Sequence, residues 1–242
     1  MLISHRLKCI ADCVKKGNIT ADIGCDHGFT SIYLVENNIS PKVYALDINK
    51  GPLSAADSNI KRYGMINRIE TRLSDGIKAL TSADKVNTIL ISGMGGKLIT
   101  SILNELDLRD DINGFVNQLV LSPQSDIYVV RHFLHNHGYT ITYERMVYEQ
   151  GKYYNIICAE PGEESYSDEL DYIYGKYLNE EGDRLYIEYM NGIIEKKLAI
   201  INKLHDLVPE SKDASYKESI KAKTKELEHE VENIRVYLNN RR

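Results

Sequence analysis

The chain is poor in cysteine and has no obvious metal-binding cluster. Its 242 residues include four cysteines, which are too few and too scattered for a disulfide framework. Cys9 and Cys13 have the spacing of one helix face, but no second Cys/His pair is placed to complete a zinc site with them. We therefore expect free thiols in a reducing compartment, and no bound metal.

Long apolar runs and excess positive charge are also missing. No run reaches the roughly 18–20 apolar residues of a membrane span, and no signal-peptide-like stretch opens the sequence. The formal net charge of −5 argues against an overall electrostatic attraction to nucleic acid. That charge lies in the tail, because residues 1–160 hold 17 basic and 17 acidic residues whereas residues 161–242 hold 13 and 18. We expect a cytoplasmic protein that makes no membrane contact.

Short β-rich runs alternate with helical stretches over the first two thirds of the chain. This alternation predicts an α/β fold with a mostly parallel sheet and crossover helices. Only Gln150 and Gly151 separate the last two runs, so they form a hairpin in which one strand is antiparallel to its neighbour. Five alternating units followed by a hairpin are the order expected of a Rossmann-like class I methyltransferase sheet with seven strands. The runs are 18–24, 42–48, 68–73, 86–93, 117–123, 139–149 and 152–160.

The composition changes after Ala159. Residues 161–169 are mostly Pro, Gly, Ser and acidic residues, which is typical of a linker. Two stretches with apolar residues seven positions apart follow, and Pro209 to Asp213 lie between them; the repeats are Ile187, Ile194, Ile201 and Val208, then Ile220, Leu227 and Ile234. This pattern predicts an antiparallel helical hairpin with a coiled-coil-like seam. We predict a catalytic domain over 1–160 and a helical domain over 161–242.

The stretch ADIGCDHGFT, residues 21–30, reads as a strand that turns sharply into a helix. Gly24 and Gly28 permit a tight turn and the close approach of a ligand. The G-x-G-x-x-G pattern of dinucleotide-binding enzymes is absent, and the acids Asp22 and Asp26 would repel a pyrophosphate. The ligand is therefore expected to be neutral or cationic. S-adenosylmethionine fits, because its methionine end carries an ammonium and a sulfonium.

Acidic residues and glycines follow the other strand runs as well. Asp47 ends the second run, where a carboxylate can accept from both ribose hydroxyls, and Asp75 follows the third, where it can accept from the adenine amine. Either acid alone is more often a turn former or a helix cap. The fourth run ends in ISGMGG, residues 91–96, and the fifth in LSPQSD, residues 121–126. Ligands bind at these carboxyl ends in open α/β sheets, so the series predicts one crevice.

These motifs, in this order and after an opening SHRL, resemble the bacterial tRNA adenine-N1 methyltransferases that modify adenine 22. The motifs are DIGCDHG, ALDINKGPL, LSDG, ISGMGG and LSPQ, and the resemblance is specific over residues 1 to about 160 and looser beyond. It implies a class I methyltransferase domain, S-adenosylmethionine as donor, tRNA as acceptor and a helical domain that helps to hold the tRNA. By motif, the cofactor would contact Asp22, Gly24, Cys25, Gly28, Asp47, Ile48, Asp75, Gly76, Gly93 and Met94.

Asp26 stands where methyltransferases at large carry the second glycine of this turn, and the resembled family shares that departure. The sequence lacks the Asp/Asn-Pro-Pro motif of enzymes that methylate the adenine amine. It also lacks a cysteine at a later strand end, which cytosine-C5 chemistry needs as a nucleophile. N1 of adenine offers an in-plane lone pair, so the enzyme must align it, exclude water and accommodate the arriving positive charge.

We assign catalytic roles to Asp26, His27 and Gln124. Asp26 is expected to accept from the adenine amine, His27 to position Asp26 or line the pocket, and Gln124 to read the adenine edge. The ordinary structural explanations are a turn carboxylate bonded by backbone N–H groups and a packed core histidine. A base taken out of its stack needs planar groups around it. Further candidates for contact with tRNA are Pro123, Tyr128, His5 and Arg6.

Two other functions stay open from residues alone. A methyltransferase of small molecules or proteins would have a lid over the strand ends, and no long insertion is present there. A cofactor-binding or RNA-binding protein without catalysis would share the acid series. The helical domain is expected either to clamp tRNA or to form dimers, so we expect a monomer or a weak homodimer.

Overall fold

The fold was analysed in a computed structural model that describes residues 3–179, 184–210 and 214–240. Seven strands form one sheet in the order β3-β2-β1-β4-β5-β7-β6. All neighbouring pairs are parallel except those of β7, which is antiparallel to both β5 and β6. The seven-stranded arrangement and its terminal hairpin confirm the prediction. The strands are Thr20–Ile23, Val43–Asp47, Ile69–Leu73, Thr88–Ser92, Gln118–Ser122, Tyr139–Glu149 and Lys152–Pro161, numbered β1 to β7.

The central strands are buried on both faces because helices cover both sides of the sheet. Every residue of β1, β2 and β5 is buried, as expected for parallel strands between two helical layers. The helices of this part are α1 (His5–Asp12), α2 (Phe29–Glu36), α3 (Lys50–Arg62), α4 (Gly96–Asp107), α5 (Asp110–Asn113), α6 (Ile127–Asn136) and α7 (Glu169–Tyr174).

The chain reverses its direction of winding between β1 and β4. From β1 it moves outward through β2 to β3, then returns to place β4 on the other side of β1. The connections after β1 and β4 therefore leave in opposite directions, and the carboxyl ends of these two strands border an open crevice. The fold thus positions its candidate site between the β1–α2 turn and the β4–α4 loop.

A buried ion pair fixes the last segment of the sheet domain. Arg131 on α6 and Glu144 on β6 are 1% and 0% exposed, and Nε of Arg131 lies 2.7 Å from Oε1 of Glu144. The guanidinium also donates to the carbonyls of Tyr172 and Ile173 at 2.8 and 3.2 Å. The guanidinium thus bonds the Glu144 carboxylate and two carbonyls of α7 at the same time. Through these bonds it holds α7 against the sheet domain.

The chain divides into two compact units, Met1–Gly175 and Lys176–Arg242. The segment 161–175 therefore packs within the first unit. The sequence-based division into 1–160 and 161–242 stays a prediction about domains. The boundary between the units lies later in the chain than the sequence-based one because Arg131 bonds two carbonyls of α7 and so holds this helix inside the first unit.

The second unit contains the predicted pair of long helices, α8 (Arg184–Glu210) and α9 (Ala214–Asn239). Their heptad residues pack together, and Lys197 of α8 forms an ion pair with Glu230 of α9. Pro209 belongs to the end of α8; residues 211–213 and the side chain of Val208 lie outside the described residues. Within the described ranges, no helix is long and apolar enough to cross a membrane. Buried seam residues are Met190, Ile194, Ile201, Ile220, Leu227, Val231, Ile234 and Leu238.

Glu144→Ala should strongly destabilise the sheet domain. Removing one partner of a buried ion pair leaves the other charge desolvated, which costs about 3–5 kcal/mol. Urea unfolding at neutral pH measures the loss. Asp57→Ala is the matched control, because it breaks the exposed pair with Lys61 on α3 and should cost less than about 1 kcal/mol. Equal losses in the two variants would show that the buried pair adds nothing.

Candidate functional site

Two clefts lie side by side at the carboxyl ends of the strands. One, here called the β2 cleft, has a volume of about 330 Å³ and the other, the α1 cleft, about 310 Å³. Both contain Gly24, Ser92 and Gly93, so they meet at the reversal between β1 and β4. The β2 cleft is further lined by Ile23, Asp47, Ile48, Asn49, Ser74, Asp75, Gly76, Met94, Leu98 and Ile102. The α1 cleft is further lined by Arg6, Leu7, Asp22, Cys25, Asp26, His27, Phe29, Thr30 and Gln124.

The turn after β1 separates the clefts and requires unusual backbone conformations. Gly24 and Gly28 both have φ of +72°, and Asp26 has φ of +50°. A Cβ placed on Gly24 would lie 2.3 Å from Cε of Met94, so the Met94 side chain would have to move, and the positive φ itself disfavours any side chain there. Aspartate is among the residues that tolerate the left-handed region. The turn thus keeps a carboxylate at a position that backbone geometry favours for glycine.

Asp22 is a buried acid at the floor of the α1 cleft. Its side chain accepts a hydrogen bond of 2.6 Å from Oγ of Ser31 and is 2% exposed. Burial raises the pKa of Asp22 to about 6, and the nearby Asp47 carboxylate adds to the rise while Ser31 opposes it. A cationic ligand group near Asp22 would favour its ionised form. Among the described residues, no cation pairs with this carboxylate, so the site is suited to a ligand that brings one.

Asp47 connects the end of β2 to the turn after β1. Its Oδ2 accepts from the backbone N–H of Asp26 at 3.2 Å, and its Oδ1 accepts from that of Asn49 at 2.8 Å. A carboxylate has about four lone-pair sites, so capacity is left for ligand hydroxyls in the β2 cleft. Asp47 therefore both shapes the site and offers it an acceptor.

The outer end of the β2 cleft combines apolar walls with one acid. Ile48 and Leu98 are exposed there, and Ile102 lies behind them. Asp75 forms an ion pair with Lys78, which also lies 3.5 Å from Glu105. Flat apolar walls beside a hydrogen-bond acceptor suit a purine ring, as in many nucleotide-binding clefts.

Asp26 projects into the α1 cleft. Its side chain is 68% exposed, and its Oδ1 lies 3.6 Å from Nε2 of His27, which is 54% exposed. Within the described part of the chain, no backbone N–H donates to the Asp26 carboxylate. The two ordinary explanations, a backbone-satisfied turn acid and a packed histidine, therefore do not apply. The pair is available to a ligand.

Gln124 faces Asp26 across the α1 cleft from the loop after β5. That loop is bonded to the loop after β4, since the N–H of Gln124 donates to the carbonyl of Met94 at 2.9 Å. A Cβ on Gly96 would lie 2.5 Å from the carbonyl oxygen of Asp126, so Gly96 permits the chain to pack on itself. Two glycines of ISGMGG thus have different roles. Gly93 lines both clefts, whereas Gly96 lets the loop after β4 pack closely on the loop after β5.

Arg6 forms the opposite wall of the α1 cleft. Its backbone N–H donates to Oε1 of Glu149 at 3.1 Å, and its guanidinium lies 4.8 Å from the ring centre of Tyr154. Nη1 of Arg6 is buried and has no hydrogen-bond partner in the described structure. Both contacts come from the β6–β7 hairpin, which the sequence motifs did not connect with the site.

Cys25 lies beneath the turn as a neutral thiol. Burial raises its pKa well above the ordinary value, and the carboxylates of Asp22 and Asp47 raise it further. A thiol held neutral is a poor nucleophile. Among the described residues there is no cluster of three or more His, Cys, Asp or Glu side chains that could hold a metal ion. The side chains of this cleft are therefore suited to binding and orientation.

Three predicted tRNA contacts lie outside both clefts: His5 and Tyr128 are exposed, and Pro123 is buried. Their roles stay predictions. Several lining residues were not predicted. Ser74 and Ser92 follow strands three and four, so the strand-end rule could have found them. Leu98 and Ile102 become visible only when α4 is folded over the cleft.

Comparison with known proteins identifies the family. A family model described as a methyltransferase domain matches residues 3–157. The tRNA (adenine(22)-N(1))-methyltransferase of Bacillus subtilis is 31% identical over 161 residues, 66% of each chain. The crystal structure of the B. subtilis m1A22 tRNA methyltransferase has a TM-score of 0.80 to this chain, at 25% identity over 98% of this chain and 99% of that one. The chain belongs to the tRNA (adenine(22)-N1)-methyltransferase family.

A second solved member of this methyltransferase family shows what such a site binds. The M. capricolum enzyme, solved with the natural cofactor product S-adenosylhomocysteine, has a TM-score of 0.78 at 26% identity over the whole of both chains. The clefts described here fit that type of ligand. Apolar walls and acceptors face the β2 cleft, and the buried acid Asp22 faces the α1 cleft, where an amino-acid end requires a countercharge.

The wild-type protein should lose stability as pH rises through 6, and the Asp22→Asn variant should not show this loss. In the folded protein the pKa of Asp22 is raised to about 6. Protonation of this side chain therefore stabilises the wild-type fold below pH 4, and that stabilisation is lost as pH rises through 6. We expect the unfolding free energy of the variant, relative to wild type, to rise by about 2 kcal/mol from pH 4 to pH 7.

Urea titrations of the ligand-free protein at several pH values measure this difference. Asp57→Asn on α3 is the matched control, and its difference from wild type should change by less than about 1 kcal/mol over this range, because the pair with Lys61 that it breaks is exposed. A pH-independent difference for Asp22→Asn would contradict the burial argument.

Proposed function

We propose that this protein transfers a methyl group to N1 of adenine 22 in tRNA, with S-adenosylmethionine as the donor. The observation that carries the proposal is the pair of clefts that meet at Gly24 and Gly93. One cleft suits an adenosine and the other contains Asp26 and Gln124, which suit the edge of a second adenine. The named members of the family supply the identity of the tRNA base.

The residues around the β2 cleft account for cofactor binding. S-adenosylmethionine supplies an electrophilic methyl on its sulfonium. Asp47 would accept from the ribose hydroxyls and Asp75 from the adenine amine, with Ile48 and Gly76 against the ring. Asp22 would balance the ammonium of the methionine end, next to Gly24 and Gly28. Cys25, Gly93 and Met94 complete the surroundings.

The residues of the α1 cleft account for the acceptor. N1 of adenine attacks through its own lone pair, so no base is needed to remove a proton before transfer. The methylated ring then carries a positive charge, and the exposed carboxylate of Asp26 can accept from the ring's amine and stabilise that charge. His27 lies close enough to orient Asp26, and the amide of Gln124 can bond the same base edge.

Asp26→Asn tests the role of this carboxylate without disturbing the turn. Asparagine tolerates the left-handed backbone that Asp26 adopts, so only the charge is lost. We expect kcat on tRNA to fall about 100-fold, while the Kd for S-adenosylmethionine changes little. Transfer is measured with labelled cofactor on unmodified tRNA, followed by mass spectrometry of the labelled nucleoside.

Asp75→Asn serves as the comparison, because it removes a carboxylate from the other cleft. It should weaken cofactor binding and leave kcat at saturating cofactor nearly unchanged. Full turnover in Asp26→Asn, with protein folded and cofactor bound, would exclude a catalytic charge. A wild-type product other than 1-methyladenosine would refute the proposed reaction itself.

The helical unit is proposed to hold tRNA. Its apolar seam is buried between α8 and α9, and exposed lysines such as Lys196, Lys221 and Lys225 remain on the helices. RNA is often recognised by shape and backbone contacts of this kind. The oligomeric state and a cytoplasmic location stay predictions.

Ending the chain after Gly175 should raise the KM for tRNA at least ~10-fold and leave the Kd for S-adenosylmethionine within twofold. The cut retains α7, so the guanidinium of Arg131 keeps its carbonyl partners. Cofactor titration verifies that the shortened protein is folded. An unchanged KM, together with a change in sedimentation, would assign the helices to dimerisation instead.

A further inference from the structure

The tip of the β6–β7 hairpin presents two exposed aromatic rings. Tyr148 and Tyr153 face each other across the strands in register, with ring centres 4.8 Å apart and an angle of 51° between the planes. Their exposed fractions are 51% and 37%. Tyrosines usually bury much of their ring, so two exposed neighbours leave a sizeable aromatic surface in contact with water.

The direction of the strands places this tip at the site edge of the sheet. β7 is antiparallel to β5 and to β6, so β6 runs in the same direction as β5. The end of β6 and the start of β7 therefore lie at the edge where β1, β4 and β5 end. Both clefts open at that edge.

Arg6 connects the tip directly to the α1 cleft. It donates its backbone N–H to Glu149, which follows Tyr148, and places its guanidinium over Tyr154, which follows Tyr153. Arg6 also lines the cleft that contains Asp26 and Gln124. Because side chains alternate along a strand, Glu149 and Tyr154 contact Arg6 from one face of the hairpin, and the two tyrosines lie on the other face. An RNA that fills this cleft therefore reaches the two tyrosines by passing over the hairpin tip.

We propose that Tyr148 and Tyr153 form a platform on which an unpaired base of the tRNA, next to the methylated adenine, stacks. The inference rests on the proposed function, because it assumes that the α1 cleft takes the target base. A base taken out of a folded RNA leaves its neighbours unstacked, and aromatic side chains are the usual replacement. Lys152, the exposed first residue of β7, would add a cation beside the phosphate backbone.

The competing explanation is that the pair only stabilises the hairpin, as cross-strand aromatic pairs commonly do. Valine separates the two roles, because it favours strands but has no aromatic face. Tyr148→Val with Tyr153→Val should raise the KM for tRNA about 10-fold or more. The Kd for S-adenosylmethionine and the kcat at saturating tRNA should stay within twofold.

Matched variants sharpen the comparison. Tyr153→Phe and Tyr153→Trp keep a stacking surface and should retain the wild-type KM. Tyr143→Val is the positional control: Tyr143 is also exposed on β6, but it lies five residues, about 17 Å, from the tip. A wild-type KM in the double valine variant, or an equal loss in Tyr143→Val, would overturn the platform.

Direct contact can be measured without turnover, because the chain contains no tryptophan. Tyr148→Trp introduces a single fluorophore at the tip, and Tyr143→Trp places one away from it. Unmodified tRNA should quench the fluorescence of the first variant and not that of the second, and a fully paired RNA of equal length should quench neither.

The fluorescence result is independent of catalysis, so the two proposals fail separately. If wild type methylates tRNA but the fluorescence of the Tyr148→Trp variant is not quenched, the platform is refuted and the reaction stands. If wild type methylates no tRNA while unmodified tRNA quenches the Tyr148→Trp variant, the reaction is refuted, and the hairpin tip is an RNA-binding surface without a methylated neighbour.

Discussion

The reversal of winding between β1 and β4 is the constraint on which the site depends. Two neighbouring parallel strands whose connections leave in opposite directions cannot close the space above their ends. The two clefts open there, and the turn after β1 forms the ridge between them. Asp47 fixes that ridge by accepting a hydrogen bond from the backbone N–H of Asp26. The Asp47 carboxylate, which lines the β2 cleft, therefore also sets the position of Asp26 in the α1 cleft. The two clefts are thus joined through one carboxylate.

Electrostatics at the site favour binding over stability. In the described part of the chain, Asp22 is buried without a cation, Cys25 is held neutral, and Asp26 stays exposed without a backbone donor to its carboxylate. A chain selected only for a stable fold would replace such groups by apolar ones or pair them. The positive charge missing from the site is the charge that a sulfonium, an ammonium and a methylated adenine bring to it. The acids are therefore best understood as one half of interactions completed by ligands.

Much of the fold and part of the site were accessible from the sequence, for a physical reason. Buried parallel strands need continuous apolar runs, and the residues just after those runs must face the ligand edge, so Asp22, Asp47, Asp75 and Gly93 were found. Contacts between distant segments leave no such signal. The bond between Arg6 and Glu149 spans 143 positions, and the closeness of Gly96 to Asp126 depends on two loops that meet only in the folded chain. Residues 161–169 have the composition of a linker, yet the buried Arg131 holds α7, the helix that starts at their end, in place.

The same long-range contacts impose an order on synthesis. The first helix leaves the ribosome early, but the groups that hold it come last: Arg6 needs Glu149, and Lys15 binds Gln118 and Glu160. Loop closure over so many residues is entropically unfavourable until the intervening sheet exists. The opening helix can pack early on α2, where the hydroxyl of Tyr33 donates to Asp12, but its contacts with the hairpin must wait until strands β1 to β5 have assembled. The α1 cleft becomes complete only when the hairpin docks, so a nascent chain shorter than about 160 residues already carries Asp47 and Asp75 of the β2 cleft but lacks the segment that holds Arg6 against the α1 cleft.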